Sequence, residues 1–124
     1  MSNAFLTKNQ VAGADIIKYR ILKHSAAETV IQAAAATDGL IGVCNEVAPL
    51  SGQRCDVILM GIADIEAGAA ITVDAPITSD SVGRAVTAAP AAGTNNRVIG
   101  FALEAASAAG DVIRVLIAPH TMQG

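Results

Sequence analysis

The side chains of this sequence that could do chemistry are few and scattered. His24 and His120 lie far apart, and neither belongs to an HxxH or HExxH motif, so we interpret both as surface or interface residues. Asp64 and Glu66 are two residues apart on one face of a predicted strand, where either could act as a general acid or base. Alternation on a half-exposed strand explains the two acids equally well. We therefore predict no catalytic residue.

The two cysteines, Cys44 and Cys55, do not have the spacing of a zinc or redox motif. Two thiols alone do not complete a zinc site, so no metal is predicted. We expect two reduced, buried thiols, and a disulfide across a hairpin stays open because the intervening loop could bring them together. The sequence also lacks GxGxxG and GxxxxGK[ST] stretches, so no cofactor is predicted.

Composition excludes several classes of protein. Apolar residues make up 52% of the 124 residues and charged residues 15%, which is typical of a folded domain. The net charge of −3 and scattered basic residues predict no nucleic-acid partner and no attraction to an anionic membrane. No apolar run is long enough for a membrane span, and the N-terminus does not have the pattern of a secretory signal.

Short apolar and β-branched stretches recur between turn residues, at the spacing of a β-sandwich or β-barrel. The predicted strands include 28–34, 40–44, 97–104 and 111–118. A longer strand starts at Cys55, and Gly61 in its middle predicts a bulge or bend. The sequence is therefore all-β, with at most one or two short helical turns, one of them near 34–40 where alanines follow the β-branched residues.

Residues 1–18 mix polar and apolar side chains without a sustained helical or strand period. We interpret this segment as an extended N-terminal arm that a partner orders, followed by a β-rich domain over residues 19–124. A frayed terminus is the alternative. We favour the arm because a frayed tail rarely carries so many large apolar residues. The small, aromatic-poor core of the domain also favours burial of apolar surface against neighbouring chains.

Three stretches carry a resemblance to a known family: "RCDVILMGIADIEAG" (54–68), "ITSDSVGRAV" (77–86) and "NNRVIGFALEAASAAGDVIRVLI" (95–117). In this order and spacing they resemble the capsid cement, or decoration, proteins of tailed bacteriophages, which include members first classified as a phage domain of unknown function. The resemblance runs from about Tyr19 to Gly124. It implies a small β-barrel or β-tulip-like domain with an N-terminal arm, and a structural protein instead of an enzyme.

The resemblance also implies a place and partners. The protein would be made in the host cytoplasm and bind the outer surface of the expanded head as homotrimers at three-fold and quasi-three-fold sites. There it would bridge subunits of the major capsid protein and stabilise the shell, with no cofactor. The arm would pair with strands of the capsid protein. The capsid-binding side chains would be Phe5, Leu6, Asn9, Val11, Ile16, Ile17 and Tyr19.

The same resemblance makes the last two strands a closing hairpin. Residues 105–110 would form its turn, and Ile113, Val115 and Ile117 would face the core. Glu104 stands where a neutral strand residue is expected, so that face would be exposed. Two other functions stay open: a small β-barrel ligand-binding or enzyme module with Asp64, Glu66, His24 or His120 in a cleft, and another phage head part such as a fibre base.

Overall fold

The structure is a computed structural model that describes residues 3–44 and 48–124, with side chains from residue 6 onward. These residues form strands joined by turns, which confirms the all-β prediction. The strands are β1 (Asn3–Ala12), β2 (Ile21–Ala26), β3 (Thr29–Gln32), β4 (Leu40–Cys44), β5 (Arg54–Glu66), β6 (Pro76–Ser79), β7 (Ala85–Thr87), β8 (Asn95–Ala102) and β9 (Val112–Gln123). No helix of the described residues is long and apolar enough to cross a membrane.

The predicted helical turn near 34–40 is absent from the described chain, and bends and turns take its place. The Asp38 carboxylate accepts a hydrogen bond from the Ala34 N–H (2.8 Å), which closes this segment as a loop. An aspartate that binds nearby backbone groups in this way competes with helix formation. The alanine run alone therefore misled the sequence prediction.

Five strands form a closed barrel. Hydrogen bonding runs in the order β1-β3-β2-β4-β5, and β5 pairs in turn with β1. The β1–β5 ladder is antiparallel and extends from the Asn3–Ile62 pair to the Val11–Arg54 pair. The β1–β3 ladder is short and parallel, and on the β1 side it involves Val11 and Ala12 only. The apolar cluster of these strands contains Ala12, Ile16, Leu22, Val30, Cys44, Cys55 and Val57.

The barrel corrects the expectation that residues 1–18 are an unpaired arm. Residues 3–12 are the strand that closes the barrel, and Ile16 is only 2% exposed. The strand period was hidden because a polar side chain, Gln10, occupies a buried position in β1. Its Oε1 lies 3.0 Å from Nε2 of His24, so the buried amide has a hydrogen-bonding partner.

The second half of the fold extends from the far end of β5. Residues Gly61–Glu66 of β5 pair with β9, and the sheet continues through β8 and β6 to β7. Gly61 has a φ of 105°, and the register of β5 against β1 is irregular beside it, as the sequence predicted. The main core lies on the inner face of this sheet and includes the predicted Ile113, Val115 and Ile117.

Candidate interaction surfaces

The first candidate surface is the outer edge of β1. Along residues 3–10, β1 pairs with β5 on one edge, and no strand of the described residues pairs with the other edge before Val11. The Val11 N–H donates to the Glu28 carbonyl oxygen on the β3 side (2.9 Å). Because N–H groups alternate along a strand, that of Asn9 lies on the same outer edge. An edge of this kind can accept an additional strand.

The structure separates the seven residues predicted to bind the capsid. Leu6 and Ile17 are exposed, whereas Ile16 lies inside the barrel and offers no surface in this structure. The side chain of Phe5 is outside the described residues. The Asn9 amide donates to the Asp56 carboxylate across the β1–β5 ladder (3.0 Å). Of the seven, only Leu6 and Asn9 lie along the open part of the edge with described, exposed side chains.

Two further predicted residues are partly covered. Val11 is half-buried where β1 reaches β3. Tyr19 is half-buried in a turn with a φ of 66°, and the Lys18 Nζ lies 5.3 Å from the centre of its ring. The next residue, Arg20, is buried and forms an ion pair with Glu66 (3.1 Å). The segment after β1 is thus anchored to its own domain.

The second candidate surface is the outer face of the sheet formed by β5, β9, β8 and β6. Cross-strand pairs place Ile62 beside Leu116, Leu116 beside Phe101, and Phe101 beside Pro76. Leu116 is 42% exposed, and the other three are partly exposed. We call these four residues the apolar row. A continuous row of this kind on an open sheet face is typical of a protein–protein contact.

Charged residues flank the apolar row. Arg114 pairs with Asp64 across the β5–β9 ladder, one position along from Leu116 on the same face. The Arg114 guanidinium donates to the Glu104 carboxylate (3.0 Å), and this hydrogen bond, together with one from the Arg114 N–H, holds the pKa of Glu104 below its usual range. Glu104 is partly exposed, as the sequence predicted. The row thus has a polar rim, as protein interfaces do.

A third feature is an open cleft of about 600 Å³, lined by Lys23, His24, Ser25, Ile31, Thr37, Asp38, Gly39, Ile41 and Arg97. Lys23 and Asp38 form an ion pair across it (3.0 Å). Burial acts to raise the pKa of Asp38, but the hydrogen bonds from Ala34 and Lys23 outweigh it, and the pKa is lowered. Of the four residues that the enzyme or ligand-binding alternative named as candidates for a cleft, His24 lines this one.

The other candidate catalytic groups are held in separate contacts. His120 stacks on Phe101 with ring centres 5.3 Å apart, and its Nδ1 lies 2.7 Å from the Ala118 carbonyl oxygen. Glu66 is engaged by Arg20, and Asp64 lies buried on the opposite side of the sheet from the main core. Among residues 3–44 and 48–124, no three His, Cys, Asp or Glu side chains are grouped to hold a metal ion.

The sequence alone did not predict the open edge of β1 or the apolar row. The open edge of β1 depends on which strands lie beside it, and pairing partners are not visible in one sequence. The apolar row had a local signal, because the outward positions of β9 that alternate with Ile113, Val115 and Ile117 include Leu116, a large apolar residue. Its continuation to Ile62 depends on the β5–β9 register, which the sequence alone does not give.

Comparisons with known proteins give a family from one match and a similar fold from another. A family model described as phage cement protein matches residues 11–117. The fold is similar to a crystal structure of the N-terminal base of the head fibre protein gp8.5 from bacteriophage phi29, with a TM-score of 0.67 and 21% sequence identity. That alignment covers 91% of this chain and 93% of the phi29 chain. No curated protein matches this sequence.

Proposed function

The chain belongs to the phage cement protein family, and we propose that it binds the outer surface of the expanded phage head as trimers that bridge subunits of the major capsid protein. The family match over residues 11–117 supports a structural role in the phage head. The proposed position, oligomeric state and bridging contacts go beyond that match. On this proposal the protein is not an enzyme and needs no cofactor.

The observation that carries the capsid contact is the open edge of β1. Its outward N–H and C=O groups can pair with an extended segment of the capsid protein without any change in the barrel. Leu6 and Asn9 flank this edge and would contact the added strand from its two faces. The contact therefore uses the segment that the resemblance assigned to it, but as an edge of the barrel instead of a free arm.

We assign the trimer contact to the apolar row. Covering Ile62 and Leu116 with a neighbouring copy would remove apolar surface that is partly or fully exposed in the described chain, next to the Phe101 ring on which His120 stacks. A closed ring of three copies repeats one heterologous contact three times. Three β1 edges on one trimer then act together, so that weak individual contacts give strong binding to a lattice of capsid subunits.

Binding to the capsid can be tested by co-sedimentation with expanded heads that lack the protein. We expect Asn9→Pro to weaken binding at least tenfold, because proline removes an outward N–H and blocks an added strand. Proline is tolerated on a strand edge whose N–H has no partner, so the fold should persist. The matched control is Asn9→Ala, which removes the same hydrogen bond to Asp56 but keeps the backbone N–H. Equal binding by the two variants would refute the β1 contact.

The trimer can be tested by light scattering after size-exclusion chromatography. The wild-type protein should have the mass of three chains, and Leu116→Asp should shift it towards the monomer. Val73→Asp is the control, because Val73 is also exposed (54%) but lies in a loop outside the apolar row. A monomeric wild type, both free and when released from heads, would refute the trimer. An elongated multimer would favour the alternative function, a base for a head fibre.

A further inference from the structure

The open cleft of about 600 Å³ has no part in the proposed function. It lies beside the loop between β3 and β4, which neighbouring strands hold from two sides. The Arg97 N–H, near the start of β8, donates to the Ala36 carbonyl oxygen (2.7 Å). The Lys23 Nζ, on β2, lies 3.0 Å from Oδ2 of Asp38. These contacts fix the loop that borders the cleft.

The charges in the cleft leave one cation without a counter-ion. Of the described residues that line the cleft, only Asp38 is acidic, and its Oδ2 is already bound by the Ala34 N–H and the Lys23 ammonium. Arg97 is exposed, and its guanidinium forms no ion pair or hydrogen bond with any residue of 3–44 or 48–124. Since Lys23 and Asp38 neutralise each other, the cleft retains the positive charge of Arg97.

A glycine keeps the Arg97 guanidinium accessible. A Cβ added to Gly39 would lie 3.9 Å from Nη1 and 4.0 Å from Nη2 of Arg97, and within 4 Å of no other described atom outside its chain neighbours. The φ of Gly39 is outside the left-handed region, so the backbone does not require glycine there. The missing side chain leaves space beside both Nη atoms, where a carboxylate can bind an arginine through two parallel hydrogen bonds.

We propose that this cleft binds an acidic side chain of a protein partner, with the Arg97 guanidinium as the main contact. Ser25 and Thr37 line the same cleft, and their hydroxyl groups can donate further hydrogen bonds to a carboxylate. Ile31 and Ile41 also line it and are half-buried. They offer apolar surface to the aliphatic part of the acidic side chain and to its neighbours.

Size and charge favour this occupant over other anions. The cleft is large enough for an acidic residue together with its neighbours, and it far exceeds the size of a phosphate ion. A nucleic acid would need several free cations in succession, whereas Lys23 is already paired and the whole chain has a net charge of −3. A single acidic residue on an extended segment matches both the volume and the charge of the cleft.

This inference goes beyond the proposed function. The edge of β1 would pair with the main-chain groups of an added strand, and main-chain pairing selects little by sequence. A pocket for an acidic side chain, lined by residues of β2 and β3 in the same barrel, would add such selectivity. Binding of a small peptide to the cleft needs no capsid and no trimer, so its failure is distinguishable from failure of capsid binding.

The experiment follows the N–H signals of the isotope-labelled, full-length protein by NMR during addition of a peptide. The probe is a tripeptide of alanine, glutamate and alanine with both ends blocked, and the comparison is the same peptide with glutamine. We expect saturable shifts of the Gly39 N–H and the Arg97 Nε–H, with a Kd on the order of a few millimolar at low salt. The Kd should rise at least about threefold in ~0.5 M NaCl, and the glutamine peptide should bind at least about fivefold more weakly.

Two variants test the site, and each should weaken binding of the glutamate peptide at least about fivefold. Arg97→Gln removes the guanidinium, and Gly39→Leu fills the space beside it. The matched control is Arg54→Gln, which removes the same charge from an exposed position of β5 outside the cleft and should bind like the wild type. All three variants should melt within about 3 °C of the wild type, because none removes a packed side chain.

Three results would overturn the proposal. The first is equal binding of the glutamate and glutamine peptides. The second is binding that the two cleft variants leave unchanged, or that Arg54→Gln weakens as much as they do. The third is inorganic phosphate that binds the cleft more tightly than the glutamate peptide, which would assign the site to a free anion instead of a protein partner.

Discussion

Two single variants, each replacing one of two adjacent isoleucines by alanine, test directly whether the N-terminal segment belongs to the barrel. Ile16 is 2% exposed and packs in the apolar cluster of the barrel, whereas Ile17 is 52% exposed. Ile16→Ala removes three buried carbon atoms and leaves a cavity among neighbours on five strands. Buried isoleucine-to-alanine changes cost about 2–5 kcal/mol, and the near-complete burial of Ile16 predicts a loss of about 3 kcal/mol. Ile17→Ala should change stability by less than about 0.5 kcal/mol.

The assay is urea unfolding followed by far-UV circular dichroism, since the chain has no tryptophan. The Ile16→Ala midpoint should fall with an unchanged slope, and its Tm should fall by roughly 10 °C. Both variants remove the same atoms from the same segment, so differences in propensity cancel. Equal stability of the two variants would refute the assignment of residues 3–16 to the barrel and restore the interpretation as a free arm.

Other predictions concern closure, packing and charge. Deletion of residues 2–12 should abolish cooperative unfolding or lower Tm by more than about 10 °C, because β5 loses its barrel partner; an unchanged melt contradicts this. Gly100→Ala should lower the free energy of unfolding by about 3 kcal/mol or more in urea melts, because a Cβ there would meet the Leu116 carbonyl oxygen. Gly39→Ala is the control: a Cβ there has no neighbour closer than 3.9 Å, so the loss should be under about 1 kcal/mol. Asp38→Asn should destabilise by about 1 kcal/mol at pH 7. The pKa of Asp38 is lower in the folded than in the unfolded protein, so this stabilisation is present above the unfolded pKa of about 3.9 and is lost as the pH falls through the folded pKa. The prediction is contradicted if the wild type and the variant differ in stability by the same amount at pH 7 and at strongly acidic pH.

The strands that the sequence predicted well have strong local patterns. β9 alternates buried Ile113, Val115 and Ile117 with outward residues, and its hairpin turn is rich in small residues. Gly61 signalled the irregularity in β5, because only glycine adopts its positive φ without cost. In these cases local preference and tertiary position agree, so a single sequence suffices.

The N-terminal strand could not be predicted because only two of its described side chains, Gln10 and Ala12, are buried, and one of these is polar. Gln10 faces inward with His24 as its partner, and the strand is defined by pairing with β5, which lies more than 40 residues away. The family resemblance reinforced the error by implying an arm. The edge of β1 and the apolar row follow from register and strand order, which are properties of the folded chain and not of any one segment.

Cryo-electron microscopy of heads carrying this protein tests the central claim most directly. The proposal predicts density for three copies at each three-fold or quasi-three-fold position on the outer surface. The outer edge of β1 should meet a strand of the major capsid protein, and the apolar row should be covered by a neighbouring copy. Absence of the protein from the outer surface, or single copies that contact the capsid through other surfaces, would contradict the proposal.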